Sequence, residues 1–326
     1  GVAGAVLIAG AITPTDAGLG ASTILNPAVP ARVRRALNVE SGLNDGLATP
    51  VVLAALAVAV GESDPTRPVP AILSIGAIPL LLGVAIGIGV GLAGAFLLDR
   101  SKGRELSGET TRALAVLTLP FLALSVAELM EANGFITAFI AGITFGHAST
   151  SVESEPSARE GVVLVADLLG FVMWVTAGGL LVRVLQEGFR WQWLVIAVLA
   201  LTVVRAAAVM ASLLGTGFRP PTVLFLSWFG PRGLASIVFG LLALEELGRD
   251  SDLVLDVTGV VGLTVLLSVL LHGATAGPLA RRYGAWASRN VVPIEAEPST
   301  EPIASRGRGM GGRSPLLSAR SPREPS

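Results

Sequence analysis

Apolar residues run along the chain in long blocks, and most polar residues lie between the blocks. About 20 apolar residues in a helix cross a hydrocarbon core about 30 Å thick, so a block of that length predicts a membrane-spanning helix. We count nine such windows, which cover approximately residues 1–25, 34–60, 70–98, 112–131, 134–148, 161–183, 191–215, 221–247 and 253–280. The pattern predicts an all-α polytopic membrane protein with about nine transmembrane helices.

Two of the windows contain helix-breaking residues near their middle. In the first window Pro14 removes a backbone donor, and Thr15 and Asp16 are residue types that cap a helix restarting after a break. In the eighth window the break is Gly-Pro-Arg-Gly at 230–233, which places Arg232 beside open helix ends. Broken membrane helices expose carbonyl groups near the bilayer midplane, where transporters bind ions. We therefore expect two discontinuous helices.

The second window carries the densest polar cluster, Glu40, Ser41, Asn44 and Asp45. At about 100° per residue, Glu40 and Asn44 share one stripe of a helix, while Ser41 and Asp45 share the adjacent stripe. A charge at the bilayer centre costs about 2.5 to 3.5 kcal/mol on the mildest scale, so such side chains face the protein interior and pair up. The cluster is therefore a candidate ion site.

The seventh window holds a single charge, Arg205, close to its centre. A guanidinium group at that depth requires a carboxylate partner, because an unpaired buried charge is strongly destabilising. We predict Glu40 as the partner, with Asp16 as the alternative.

Composition narrows the class of protein. Of 326 residues, 52% are hydrophobic and 14% are charged. The mean hydropathy is +0.71, which is too apolar for an ordinary soluble domain. The net charge of -1 argues against nucleic acid as a partner, because phosphate binding needs a basic surface. The chain has no cysteine, and its two histidines lie far apart, so we expect neither a structural metal centre nor a cofactor.

Charge distribution predicts the orientation and the domain boundary. Lys and Arg are concentrated in one alternate set of loops, which places those loops and the C-terminus in the cytoplasm. We expect a transmembrane domain over residues 1–284 and a disordered cytoplasmic tail over residues 285–326, where Pro, Ser, Gly, Arg and Glu dominate. The chain begins at Gly1 without a Met or a signal peptide, so we expect a fragment of a longer protein.

Four motifs, in this order and spacing, resemble those of the monovalent cation:proton antiporters of the NhaP and sodium/hydrogen-exchanger type. They are Thr15-Asp16, then Glu40-Ser41-x-x-Asn44-Asp45-Gly46, then Asn133-Gly134-Phe135-Ile136-x-Ala138-Phe139-x-Ala141-Gly142, then Gly230-Pro231-Arg232-Gly233. The resemblance covers residues 1 to 283 and implies a thirteen-helix fold with inverted repeats and two crossing broken helices. It also implies a homodimer in the plasma membrane.

The resemblance implies a role for each residue of the cluster. Asp45 would be the shared site for the proton and the cation, helped by Ser41 and Thr15, and Glu40 would be held by Arg205. Asn44 occupies the position where a second Asp would mark electrogenic relatives. The chain departs from the family pattern at Ala17, where a proline is usual, and in lacking the first four helices, one of which supplies an acidic ligand and part of the dimer interface.

The resemblance leads us to expect a secondary transporter that exchanges a monovalent cation, with Na+ as the first candidate, for H+ by alternating access and without net charge movement. The residues leave three alternatives open. A cation channel or uniporter would carry flux without proton counter-movement, and a truncated chain would be inert. An intramembrane aspartyl protease would use Asp16 and Asp45 as a dyad, but the chain has no Gly-x-Gly-Asp pattern, and that alternative leaves Glu40 and Arg205 unexplained.

Overall fold

The computed structural model of the chain describes residues 1–24, 26–63, 69–150, 156–248, 251–290 and 295. Within these ranges the regular structure is helical. The helices are α1 Val2–Ala11, α2 Ala21–Ile24, α3 Ala31–Ser63, α4 Val69–Gly103, α5 Glu109–Leu129, α6 Gly134–Ala148, α7 Pro156–Glu187, α8 Trp191–Leu199, α9 Arg205–Ser212, α10 Pro220–Trp228, α11 Leu234–Leu247 and α12 Asp252–Arg289. A π-helical turn, Ala200–Val204, joins α8 to α9.

The predicted windows coincide with these helices, and the two interrupted windows are each divided into two shorter helices. Six helices of the described residues are long and apolar enough to cross a membrane, namely Ala31–Gly61, Leu81–Gly103, Glu109–Leu129, Leu164–Glu187, Trp191–Ser212 and Asp252–Arg289. Large apolar side chains on the outer faces are exposed, among them Val175 at 77%. An apolar exposed surface of this kind suits contact with lipid.

Local sequence explains several helix boundaries. The side chain of Asn133 accepts a hydrogen bond from the N–H of Ile136 and so caps α6. Helix α10 starts with Pro220 and Pro221, which cost no hydrogen bond in the first turn because the N–H groups there have no intrahelical partner. These boundaries follow from residues within one turn of the helix end.

The last helix ends later than the composition indicates. Helix α12 continues to Arg289, so residues 285–289 are helical rather than part of a disordered tail. Tyr283 stacks on Phe225 with ring centroids 4.2 Å apart and on Trp286 at 5.7 Å, and Ala287 is buried. These contacts continue the packed face of the helix past the predicted boundary. The rest of the predicted tail, apart from Asn290 and Glu295, lies outside the described residues.

Two apolar clusters lie on either side of the helix breaks. The first joins α1, α3, α8, α11 and α12 through side chains that are at most 1% exposed, including Leu7, Val52, Trp193, Phe239 and Val257. The second joins the segment after the first break to α10 and the end of α12, through Val29, Val33, Phe225, Leu226 and Tyr283. In a membrane such clusters stabilise by close packing.

Candidate functional site

The first helix break is wider than predicted. Helix α1 ends at Ala11, and α2 begins only at Ala21. Within the gap the Oδ1 atom of Asp16 accepts hydrogen bonds from the N–H groups of Gly18 at 2.7 Å and Leu19 at 3.3 Å. The carboxylate thus satisfies backbone donors that an interrupted helix leaves open, as a capping residue does.

The two breaks meet at Asp16. Its backbone N–H donates to the carbonyl oxygen of Pro231 at 2.7 Å, and its Oδ2 atom accepts from the N–H of Leu234, the first residue of α11, at 3.2 Å. A Cβ atom built on Gly233 would overlap the Asp16 side chain, so only glycine permits this approach. The expected meeting of two discontinuous helices is therefore present.

Polar side chains of α3 continue from this crossing as a connected network. The Thr15 hydroxyl donates to the Ser41 hydroxyl at 3.1 Å, and the amide of Asn44 lies 3.3 Å from both the Thr15 hydroxyl and the Glu40 Oε1 atom. Thr15 and Ser41 are 3% and 7% exposed. Glu40, Ser41 and Asn44 were predicted from helical spacing to face one region, and their side chains are joined in this network.

Arg205 forms the predicted ion pair with Glu40. Its Nη1 atom contacts Oε1, and its Nη2 atom donates to Oε2 at 3.0 Å, so the contact is bidentate. The Nη2 atom also donates to the carbonyl oxygens of Leu226 at 3.1 Å and Phe229 at 2.9 Å, at the end of α10. Arg205 therefore connects the α3 network to the second break and satisfies carbonyl groups there.

Two local features bring Arg205 into this position. The π turn Ala200–Val204 directly precedes it, and such turns change the face that the following residues present. The pattern of apolar residues does not predict this turn. A Cβ atom on Gly230 would overlap the guanidinium group, so the glycine at the break permits the contact.

Arg232 lies buried within the second break at 6% exposure. Its Nε and Nη1 atoms have no hydrogen-bond partner among the described residues. The charges of Arg205 and Glu40 both act on it. Arg232 thus lies between the end of α10 and the start of α11. Its predicted role, to offset the charge of the helix ends, stays a prediction.

Asp45 lies one helical turn after Ser41 on α3. Its Oδ1 atom is buried, and its carbonyl oxygen accepts a hydrogen bond from the Thr49 hydroxyl at 2.6 Å. The structure places it next to the network of Thr15 and Ser41 by helical register. Its ion-binding role, like that of Ser41, Thr15 and Asp16, stays a prediction.

One part of the site was not predicted from the sequence. Ser268 and His272 on α12 are 0% and 3% exposed and bond to the backbone on both sides of the second break. From its apolar surroundings in the sequence, His272 is expected only to pack between helices. The available signal was the i, i+4 spacing of two polar residues in an apolar span, which places both on one face of the helix.

Comparison of the sequence with known proteins identifies the family to which the chain is similar. The family described as "Sodium/hydrogen exchanger, transmembrane" matches residues 1–282. The chain is 26% identical to the K(+)/H(+) antiporter NhaP of Alkalimonas amylolytica over 306 residues, which are 88% of this chain and 49% of that protein. It is also 26% identical to the Na(+)/H(+) antiporter NhaP of Pseudomonas aeruginosa over 296 residues, which are 85% of this chain and 65% of that protein.

A solved structure shares the fold. The sodium proton antiporter MjNhaP1 of Methanocaldococcus jannaschii matches with a TM-score of 0.63 and 21% sequence identity, over 85% of this chain and 70% of that one. The chain spans about half to two thirds of the length of the curated relatives it matches. The family consists of membrane transporters, not enzymes, which agrees with the apolar helices of the structure. The match over residues 1–282 establishes that the chain belongs to the sodium/hydrogen exchanger family of monovalent cation:proton antiporters.

Proposed function

We propose that the protein exchanges a monovalent cation for H+ by alternating access and without net charge movement. Na+ is the first candidate for the cation. The observation that carries the proposal is the meeting of two helix breaks at Asp16, directly beside the hydroxyl network of Thr15 and Ser41. Open helix ends and unwound carbonyl groups near the midplane are the features that transporters use to bind ions. Relatives named as Na+/H+ and K+/H+ antiporters support the same class of cargo.

In this proposal Asp45 is the carboxylate that the proton and the cation share. A carboxylate removed from water is stabilised either by a proton or by a cation, so the two compete for the same oxygen atoms. The hydroxyl groups of Ser41 and Thr15 supply further oxygen ligands for the cation. Asp16 holds the backbone of both helix breaks beside them. The cation and the proton are cargo, and the proposal includes no resident cofactor.

The neighbouring polar and charged residues determine the net charge of the site. The Glu40 carboxylate is engaged by Arg205 and acts as an anchor rather than as a ligand. Asn44 is neutral, so binding of one cation at Asp45 is balanced by release of one proton. Arg232 offsets the negative ends of the broken helices.

The first experiment tests Asp45 in proteoliposomes that contain a pH-sensitive dye. We expect Asp45→Asn to abolish cation-driven proton movement, because the variant cannot exchange a proton for a cation. Glu128→Gln, which removes a carboxylate from the exposed face of α5, is the matched control and should exchange at the parent rate. Full exchange by Asp45→Asn would contradict the site, and absence of exchange by the parent chain would contradict the function.

A second experiment tests the charge balance. With the membrane potential clamped by K+ and valinomycin, Na+/H+ exchange by the parent should not respond to the imposed potential. Asn44→Asp adds a carboxylate beside Asp45 and should make exchange respond to it. A potential-dependent parent would contradict the electroneutral form, and cation flux without proton movement would indicate a channel or uniporter.

We further propose a homodimer in the plasma-membrane bilayer with its C-terminus in the cytoplasm. Because the chain has no cysteine, a single Ser288→Cys near the end of α12 can be labelled selectively. We expect a membrane-impermeant maleimide to label it in inside-out vesicles and not in right-side-out vesicles. Labelling only from outside would reverse the proposed orientation.

A further inference from the structure

Helix α12 contacts the second break through two polar side chains. Ser268 and His272 lie one helical turn apart on α12 and are buried. Trp228 is the last residue of α10, and Arg232 is the next-to-last residue before α11 begins. One α12 side chain bonds to each of these backbone positions, so the pair spans the break.

Hydrogen bonds connect the Arg232 N–H to Ser268, Ser268 to His272, and His272 to the Trp228 carbonyl oxygen. The Arg232 N–H donates to the Ser268 hydroxyl oxygen at 2.7 Å, so that oxygen accepts, and its own proton is left for the Nδ1 atom of His272 at 3.1 Å. The Nε2 atom of His272 lies 3.0 Å from the Trp228 carbonyl oxygen, which only accepts, so Nε2 carries the ring proton. The Nδ1 atom lies 3.1 Å from the Ser268 hydroxyl oxygen and 3.0 Å from the Ser268 carbonyl oxygen, so it either accepts from the hydroxyl or donates to the carbonyl. The Nε2 atom donates to Trp228 in both cases.

These bonds complete the end of α10. A helix leaves its last carbonyl groups without intrahelical partners. Arg205 donates to the carbonyl oxygens of Leu226 and Phe229. His272 donates to that of Trp228, which also accepts from the Gly230 N–H at 3.1 Å. The indole N–H of the same tryptophan donates to a threonine hydroxyl of α12 at 2.9 Å. The open end of α10 is therefore held from two different elements, α9 and α12.

The anchor matters most for Arg232. Its buried Nε and Nη1 atoms have no hydrogen-bond partner in the part of the chain that the structure describes, so side-chain bonds from these atoms do not fix the guanidinium group there. The backbone N–H of the same residue does have a partner, the Ser268 hydroxyl. The backbone hydrogen bond to Ser268 therefore helps to determine where this positive charge lies.

We propose that Ser268 and His272 are positioning residues of the transport site, which hold the backbone of the second break and thereby keep Arg232 beside the ion pair of Glu40 and Arg205. This inference rests on the proposed function for its link to transport. The anchoring itself is a separate structural statement and is measured separately below.

The test compares His272→Ala with His272→Gln, whose amide N–H can still reach the Trp228 carbonyl oxygen. Hydrogen exchange measured by mass spectrometry in nanodiscs follows the backbone N–H groups of segment 229–233. Loss of a buried hydrogen bond corresponds to about a tenfold rise in exchange of this segment for His272→Ala, with helix α5, residues 109–129, unchanged as the internal control. His272→Gln should remain within about threefold of the parent.

Ser268→Ala provides a second, smaller change, and it should raise exchange of the Arg232 N–H in the same way. His147→Ala is the matched control, because His147 is exposed on α6 and its ring bonds to the Ile143 carbonyl oxygen of its own helix. Unchanged exchange of segment 229–233 in both His272→Ala and Ser268→Ala would overturn the proposal. Equal effects of His272→Ala and His272→Gln would also overturn it, because packing rather than hydrogen bonding would then explain the result.

The same variants are then assayed for Na+/H+ exchange in proteoliposomes. The proposal expects the maximal rate to fall about tenfold in His272→Ala and Ser268→Ala and to be recovered in His272→Gln. Parent rates in all three variants would overturn the link to transport, even if the backbone is released. A parent chain without exchange would contradict the proposed function, while the hydrogen-exchange result would still decide whether α12 anchors the break.

Discussion

The two helix breaks of this protein satisfy their open backbone groups in different ways. At the first break the residue that caps the backbone is Asp16, which belongs to the break itself and bonds to Gly18 and Leu19. At the second break the side chains that bond to the end of α10 come from other elements, Arg205 from α9 and His272 from α12. One break is capped locally, and the other is held by its neighbours.

This difference indicates which break is independent of its surroundings. A locally capped break keeps its shape when neighbouring helices shift, whereas the second break depends on α9 and α12 for its geometry. Asp16 joins them, because it bonds to Pro231 and Leu234 as well as to its own segment. If α9 or α12 moves, we expect the second break to change first and the first break to follow through Asp16.

The largest expected effect comes from removing the charge that holds the second break. Arg205→Gln leaves Glu40 without its bidentate partner and should lower the free energy of unfolding by about 3 kcal/mol, since breaking a buried ion pair is strongly destabilising. Thermal unfolding in detergent, followed by tryptophan fluorescence, measures the change. The control is Arg183→Gln in the exposed pair of Arg183 with Glu187. This control should change stability by about 0.5 kcal/mol or less, as is usual for exposed ion pairs. Equal effects of the two substitutions would contradict the prediction that the buried pair of Arg205 with Glu40 contributes more stability than an exposed ion pair.

The next effect tests the point where the breaks touch. Gly233→Ala places a methyl group against the Asp16 side chain. It should cost about 2 kcal/mol, the order expected for overpacking. Gly89→Ala is the matched control, because a Cβ atom there meets nothing within 4 Å. The control should stabilise α4 by about 1 kcal/mol, the difference in helix propensity between the two residues. The unfolding midpoints of both variants check the prediction, and a Gly233→Ala protein as stable as the parent would mean that the breaks are not in close contact.

A smaller effect tests the local cap. Asp16→Ala removes the acceptor for the N–H groups of Gly18, Leu19 and Leu234 and should cost about 1 to 2 kcal/mol, as the loss of a helix cap does. Asp16→Asn keeps one acceptor oxygen and should lose less. Hydrogen exchange should rise at residues 12–20 in Asp16→Ala. If it rises only at residues 229–233, the first break does not depend on its own cap.

The smallest expected effect concerns the other end of α10. Glu295 is 1% exposed, and its Oε1 atom accepts from the Thr222 hydroxyl at 2.8 Å and from the Arg219 N–H at 3.2 Å. Burial by itself raises the pKa of Glu295, but these hydrogen bonds and the Arg219 charge outweigh it and lower the pKa below 4.5. A remote segment therefore caps the start of α10, just as remote residues hold its end.

The sign of the pH dependence follows from the lowered pKa. The unfolded chain binds a proton on Glu295 more readily than the folded chain, so the stabilisation is complete above about pH 4.5 and is lost as the pH falls through the folded-state value. Glu295→Gln should cost about 1 kcal/mol at pH 7 and less at about pH 3. Unfolding midpoints of parent and variant across this range measure it. A difference that grows on acidification would contradict the assignment.

Much of the candidate site could be predicted because its signals are local. Pro14 and the Gly-Pro-Arg-Gly segment at 230–233 indicated both breaks, and helical spacing placed Ser41 and Asn44 on the face that meets Thr15. The pairing of Arg205 with Glu40 followed from the cost of an unpaired charge, since few carboxylates were available to it. These predictions needed only residue types and a repeat of about 3.6 residues per turn.

Other features could not be predicted because they depend on how distant segments pack. The π turn before Arg205 and the extension of α12 to Arg289 leave no distinct pattern in the residues nearby. The spacing of Ser268 and His272 indicates a shared helix face but not their partners. Each one satisfies a backbone group or an apolar face that belongs to another helix. Their partners lie far away in sequence, so a local pattern does not identify them.

The sequence by itself determined where this protein has helices, where two of them are interrupted and which polar residues lie on one face of α3. These properties depend on the length of apolar runs, on proline and glycine, and on helical periodicity, all of which act between near neighbours. Only the tertiary structure decided which side chains complete the open ends of the broken helices. The side chains that do so are those of Arg205, Ser268, His272 and Glu295. They bind there because an unsatisfied backbone group bonds to whichever donor or acceptor the packing of the helices brings within about 3 Å.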